Sequence, residues 1–186
     1  MLPTACDTIS DIVQNAFEAG ATEVRLEVAH RGHWLDVRVQ DNGRGMDEAT
    51  QRRALDPFWT EPGKHPGRKV GLGLPFLKQA ADQCGGSMSL QSAPGKGTVI
   101  AFRFDEAHVD APPTGNVPEL LTQLMAWPGG GELSVRREEN GRSYEVTRSG
   151  LSEALGGLQD SGSLALMKDF FVSNEAELTK TDVESK

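Results

Sequence analysis

The chain has 186 residues, 37% hydrophobic and 25% charged, the composition of a folded globular protein long enough for one domain of roughly 100–150 residues and a smaller part. Its net charge of −8 is uneven: residues 1–104 hold 12 Lys/Arg and 12 Asp/Glu, and residues 105–186 hold 7 and 15. A neutral front and an acidic remainder argue against duplex nucleic acid as the main partner. No run approaches the ~18 apolar residues of a membrane span, the N-terminus lacks signal-peptide regions, and Cys6 and Cys84 form no CxxC pair, so the expectation is a cytoplasmic protein without a zinc site or disulfide framework.

In chain order, Ile9, Ile12, Val13, Ala16 and Phe17 fall at i, i+3, i+4, i+7, i+8, one apolar stripe of a helix over Asp7–Ala19. Asp7 is the expected N-cap and Gly20 the stop; Asp11, Asn15 and Glu18 stand on the opposite face. Val24, Leu26, Val28 and then Leu35, Val37, Val39 alternate, which predicts an antiparallel pair turning near Arg31–Gly32 with one buried face. A short helix is predicted from Asp47 to Leu55. Residues 56–70 contain three prolines, two glycines and the cations Lys64, Arg68 and Lys69, and read as a loop. A helix is predicted from Pro75 to Gln83, stopping at Gly85–Gly86. Strands at 87–92 and 98–104 flank a turn at Ala93–Gly97. This order makes the class α+β, helices layered on a mostly antiparallel sheet.

Beyond residue 104 a linker is expected over 105–118, most clearly in the stretch APPTGNVP. The small acidic region 119–186 then offers a helix at Glu119–Trp127, strands at Leu133–Glu138 and Arg142–Thr147 around Asn140–Gly141, a strong hairpin signal, and helices near 150–156 and 164–178. The division implies that removing 119–186 spares the front domain.

Four features carry chemistry. Asp11 and Asn15, four residues apart, project from one helix face. Asn15 offers a neutral oxygen for a hard cation such as Mg²⁺, and Asp11 is placed to accept a proton from an attacking water or hydroxyl. Asp41, at the end of a buried-looking strand, needs a partner for its carboxylate; an exocyclic amine such as adenine N6 would serve. Gly43 and Gly45, followed by Met46, let a flat base approach the backbone. Gly71-Leu72-Gly73-Leu74 opens a helix whose free amides favour anions, and Lys64, Arg68 and Lys69 reach phosphates from the loop before it. Alone, each has an ordinary reading: a solvated helix face, an Asp-Asn-Gly turn, a charged loop, a glycine pair. Their order and spacing together say more.

Residues 9–104 resemble the ATP-binding domain of the GHKL superfamily, which includes gyrase B, heat-shock chaperone ATPases, sensor histidine kinases and mismatch-repair ATPases. The stretch Asp11–Ala21 is similar to the superfamily's N box, and its Mg²⁺-binding Asn falls on Asn15. The adenine-binding Asp of the first glycine box falls on Asp41, with Gly43 and Gly45 as that box's glycines. Asp56-Pro57-Phe58-Trp59-Thr60 is similar to the F box of histidine kinases, and Gly71–Leu74 to the second glycine box. Pro94–Thr98 resembles the closing Gly-Thr turn, whose Thr, here Thr98, helps hold the adenine site through Asp41 and water. The resemblance implies the superfamily's two-layer α/β sandwich with a small C-terminal appendage, and ATP and Mg²⁺ under a lid over about 56–70.

Three departures bear on activity. Asp11 stands where gyrase-like ATPases usually carry Glu, one methylene longer. Lys69 stands where histidine kinases often have another Gly. No phosphoacceptor His-Glu-x-x helix is present: His30, His33, His65 and His108 fall in strand ends and loops. The resemblance therefore implies ATP hydrolysis, or transfer of the γ-phosphate in trans to a protein partner as in anti-sigma serine kinases. A nucleotide-switched binding module is the alternative. With Met1 present and a distinct C-terminal region, a stand-alone protein is expected rather than a piece of a larger kinase.

Overall fold

A computed structural model describes residues 3–56 and 73–180. Helix α1 spans Ala5–Glu18. Strands β1 (Glu23–Arg31) and β2 (Trp34–Asp41) follow, then α2 (Glu48–Ala54) and α3 (Gly73–Gln83), and β3 (Ser87–Ala93) and β4 (Gly97–Asp105). The C-terminal part adds α4 (Val117–Met125), β5 (Glu132–Glu139), β6 (Arg142–Thr147), α5 (Arg148–Leu155) and α6 (Ser161–Thr179). All six strands form one sheet in the order β3-β4-β2-β1-β5-β6. Among the described strands only the β1–β5 pair is parallel, running from Glu23↔Glu132 to His30↔Glu139. The fold is α+β, as the element order predicted.

Period-two alternation sorts each strand into an inner and an outer face. The register lines up inner rows across the whole sheet. One runs Leu90, Ile100, Val39, Leu26, Val135, Val146, and the next Met88, Phe102, Val37, Val28, Arg137, Tyr144. The aliphatic stretch of these rows is buried, and α1 lays Ile9, Ile12, Val13, Ala16 and Phe17 into it. Outward positions such as Arg25, Arg38, Gln40 and Arg136 are exposed. Helix α1 therefore lies on the inner face, and these outer positions stay open to solvent.

Local chemistry moves several boundaries. Thr4, not Asp7, caps α1: its side chain accepts from the Asp7 amide while the Asp7 carboxylate accepts from the Thr4 amide, a capping box. Asp7 is thus the third helical residue, and α1 starts two residues earlier than its apolar stripe suggested. Pro75 lies inside α3, whose first described residue is Gly73. The Asn140–Gly141 turn has φ +46° and +93°, both left-handed, as a type I′ hairpin turn requires.

The segment after β4 is not loose. Its Pro113 and Thr114 carbonyls accept from the Ala5 and Cys6 amides, 2.9 Å each. The C-terminal strands extend the same sheet, and one apolar cluster contains both α1 residues and Leu121, Leu124, Met125, Leu133, Met167 and Phe171. At the seam, buried His30 lies 3.3 Å from both Glu106 and Glu139. Buried Arg137 pairs with Glu139 and Glu175, and the Tyr144 hydroxyl donates to Glu175. Among the described residues, no helix is long and apolar enough to cross a membrane.

Candidate functional site

The same alternation that buries Leu35, Val37 and Val39 carries Asp41 onto the inner face at the end of β2. Its row reads Ser92, Thr98, Asp41, Val24, Leu133, so the aliphatic floor ends here in a polar edge. Burial pushes the Asp41 carboxyl above its ordinary value, while the amides of Gly43 and Thr98 partly offset this by stabilising the anion. The Gly43 amide donates to it at 2.8 Å.

The glycines around Asp41 are set by steric demand. A Cβ on Gly45, at φ +65°, would lie 1.9 Å from the Ala93 carbonyl oxygen. One on Gly97, at φ +80°, would lie 1.9 Å from the Asp41 carbonyl oxygen. The Asp41–Met46 loop and the closing turn are therefore in backbone contact, sealed by the Gly95 amide on the Arg44 carbonyl. Asn42 anchors the other side: its side-chain oxygen accepts from the Thr22 and Glu23 amides.

Ser92 joins the parts. Its hydroxyl accepts from the Met46 amide at 2.8 Å and donates to the Gly97 carbonyl at 2.9 Å. With that proton committed, the 2.9 Å contact between Ser92 and Thr98 hydroxyls has Thr98 as donor. Ser92 and Asn42 were not singled out from sequence. Extending the Met88, Leu90 alternation by two residues would have placed Ser92 on the inner face.

The second half of the site lies on α1. The Asn15 side-chain nitrogen donates to Asp11 Oδ2 at 3.1 Å. A carboxylate neighbour turns the amide this way, which leaves the neutral Asn15 oxygen as the free group, the ligand type that suits Mg²⁺. Gly73 faces this pair: a Cβ there would stand 2.5 Å from Asp11 Oδ2. Thus Asp11, Asn15 and Gly73 come together at the α1–α3 contact, with partly buried Leu74 packed against the core. Phe58, Lys64, Arg68, Lys69, Gly71 and Leu72, and the lid expected over 56–70 apart from Asp56, lie outside the described residues. Among the described residues no cluster of three or more His, Cys, Asp or Glu is placed to hold a metal ion. A magnesium held by one side chain and the phosphates of its nucleotide needs none, so the residues present fit Mg²⁺-ATP.

Known proteins resemble this chain over the same stretch. Residues 4–108 match the family described as histidine kinase-, DNA gyrase B- and HSP90-like ATPase. The signal transduction histidine-protein kinase AfsQ2 of Streptomyces coelicolor is 31% identical over 106 residues, covering 56% of this chain and 20% of that protein. The sensor protein kinase FleS of Pseudomonas aeruginosa is 41% identical over 97 residues, covering 51% and 23%. The chain thus spans about a fifth of the length of these curated relatives. The crystal structure of the N-terminal domain of a DNA repair protein superposes with a TM-score of 0.56 at 14% identity, covering 88% of this chain and 59% of that one; this likeness concerns fold alone, and it reaches into the C-terminal strands and helices. With the family match covering more than half of the chain, and the inward-facing Asp41 carboxylate, the Asn15-bearing helix α1 and the Gly73 end of α3 gathered on one side of the sheet, the protein belongs to the histidine kinase-, DNA gyrase B- and HSP90-like ATPase family.

Proposed function

We propose that this chain binds Mg²⁺-ATP, with adenine at Asp41 and the phosphates between α1 and the start of α3, and passes the γ-phosphate to a protein partner in trans or to water. The observation that carries the reading is the convergence of the Asp11–Asn15 pair with Gly73, 58 residues beyond Asn15 in sequence, at one helix contact. Asn15 would hold Mg²⁺, which screens the phosphate charge. Asp41 would accept from the exocyclic amine, while Gly43, Gly45 and Met46 shape the base site. Gly71, Leu72, Gly73 and Leu74 would supply amides to the phosphates, with Lys64, Arg68 and Lys69 as cations, and Phe58 and Thr98 would complete the enclosure.

In the hydrolytic form a water oxygen attacks the γ-phosphorus, the bond to the β–γ bridging oxygen breaks, and the water's proton passes to Asp11. In transfer, a partner's nucleophile takes the water's place. One feature favours slow turnover and an ATP-switched module as the second reading: Asp11 has the short carboxylate arm, and that carboxylate is already engaged by Asn15 and packed on Gly73. A general base out of reach forfeits ~10²–10⁴-fold without weakening binding.

Thermal shift tests the binding. At 100 times the dissociation constant, Mg²⁺-ATP should stabilise the protein by ~2.7 kcal/mol. Asn15→Ala should remove the Mg²⁺ dependence, and GTP should give a smaller shift. A wild type that ignores Mg²⁺-ATP, or responds equally to GTP, refutes the proposal. Labelled ATP incubated with candidate partners, followed by identification of the labelled residue, separates transfer from hydrolysis.

A further inference from the structure

Helix α6 is apolar on two sides. Met167, Phe171 and Leu178 are buried inward, yet Leu166 and Val172 point outward at 57% and 49% exposure, and Phe170, edge-on to Tyr144 and Phe171, is still 37% exposed. Large apolar side chains left open side by side on a helix normally mark a surface that something else covers. At 100° per residue, Leu166, Asp169 and Val172 form one i+3 row across the outward face, with Phe170 beside Leu166. Asp169 is the one charge in that row, and among the described residues its side chain makes no ion pair or hydrogen bond. Along one flank, between α6 and α4, runs a largely apolar groove of about 540 Å³ that reaches Trp127 and the Ser10–Gln14 side of α1. The Glu119–Lys168 ion pair, 3.2 Å, stands at its rim.

These features point to one kind of occupant. The crest at Asp169 and Val172 and the groove on the Leu164–Lys168 flank beside it are the counterpart of a helix with an apolar stripe. The unpaired Asp169 at the crest, in a segment that carries the entire −8 of the protein, calls for a basic side chain opposite it. A second copy of this chain is the poorer fit, because antiparallel packing about the crest brings two Asp169 carboxylates and two acidic segments together. We propose that the outward face of α6 and the groove beside it dock a basic helix with an apolar stripe, carried by the protein partner invoked above. The inference rests on that reading for who the partner is, but not for the binding itself. Because the groove is bounded by Ser10 and Gln14 of α1 and Asp11 and Asn15 stand one residue further round the same helix, a partner seated there lies next to the nucleotide face.

The test uses the full chain without nucleotide and an 18-residue peptide with Leu and Lys at helical spacing, followed by fluorescence anisotropy. One-to-one binding is expected, at least tenfold weaker for Asp169→Lys and for Leu166→Ser/Val172→Ser, and unchanged for Glu153→Lys on α5. A matching Leu–Glu peptide should not bind. Melting temperatures of the variants show that each is folded. No binding by the Leu–Lys peptide, or equal weakening by Glu153→Lys, overturns the proposal. So does a wild type that sediments as a dimer and becomes a monomer in the Leu166→Ser/Val172→Ser variant, which would make the occupant a second copy. Peptide binding with no Mg²⁺-ATP shift would leave the docking surface standing and remove the nucleotide reading; the converse would do the opposite.

Discussion

At the residue scale, the site is governed by what each side chain would meet. Gly73 and Gly97 both exclude a Cβ, but for different reasons. At Gly97 the Cβ meets the Asp41 backbone, and φ is +80°; a left-handed conformation alone costs an L-residue ~1–2 kcal/mol, and a backbone cannot step aside. Gly97→Ala should lower stability by more than ~2 kcal/mol and abolish ATP binding, read by urea unfolding and thermal shift. At Gly73 the Cβ meets only the end of the Asp11 side chain, which can rotate away from Asn15. Gly73→Ala should leave stability within ~0.5 kcal/mol but weaken Mg²⁺-dependent nucleotide binding. Equal unfolding midpoints for the two variants would contradict this account. Asp41 adds a pH dependence. Burial raises its folded-state value above the ordinary 3.8, so the fold prefers the protonated form: the group's contribution to stability is present below 3.8 and is lost as pH rises through the folded value. The adenine contact proposed for Asp41 needs the anion, which accepts from the exocyclic amine. ATP affinity should therefore begin to fall, on acidification, at a pH above the ordinary aspartate range. Asp41→Asn should bind weakly and flatten that profile, measured by titration calorimetry across pH 4–7 on protein shown to be folded.

At the element scale, sequence periodicity carried most of the architecture. The alternation of Val24–Val28 and Leu35–Val39 forecast the β1–β2 pair, the i, i+3, i+4 stripe forecast α1, and Asn140–Gly141 forecast the β5–β6 turn, because each is a local pattern with a local cause. Helix-face spacing, a strand end and a helix start also offered Asp11, Asn15, Asp41 and Gly73 as candidates, but each alone had an ordinary reading, and their order together with the family resemblance singled them out. What stayed hidden depended on contacts distant in sequence. Ser92 meets Met46 only after β3 pairs with β4, and Gly97 meets Asp41 only across the β2–β4 register. The α1 cap was misplaced for a subtler reason: Asp7 is a good N-cap type, but with Thr4 three residues before it the pair forms a capping box, and the helix starts at the earlier residue. Thr4→Ala should cost ~1 kcal/mol. Part of that loss should show as faster hydrogen exchange at the Asp7 amide, which the Thr4 side chain holds, and less at the Ala5 and Cys6 amides, which Pro113 and Thr114 hold.

At the scale of the whole molecule, the charge asymmetry suggests two parts, but the hydrogen bonds do not respect the boundary. Residues 1–104 are neutral and 105–186 carry −8, which invites the expectation that the acidic part is dispensable. Yet β5 pairs with β1 over eight residues, α4 packs on α1, and buried His30 sits between Glu106 and Glu139. Removing 119–186 would turn β1 from an interior strand into an edge with unpaired amides and carbonyls, a template for aggregation. It would also expose the apolar side chains of α1 and β1 that α4 and β5 now cover. Each large side chain returned to water forfeits ~1.5–3 kcal/mol, so a handful equals the ~5–15 kcal/mol that holds a typical domain together. Parallel pairing gives a further reason: a strand joined through a long crossover cannot be replaced by a local turn. The expected outcome for a 1–118 chain is therefore aggregation, or a broad melt without a cooperative transition, and no Mg²⁺-ATP shift. Circular dichroism and sedimentation decide it. A soluble 1–118 chain that melts cooperatively and binds ATP would establish instead that the acidic part is an accessory to an independent nucleotide domain.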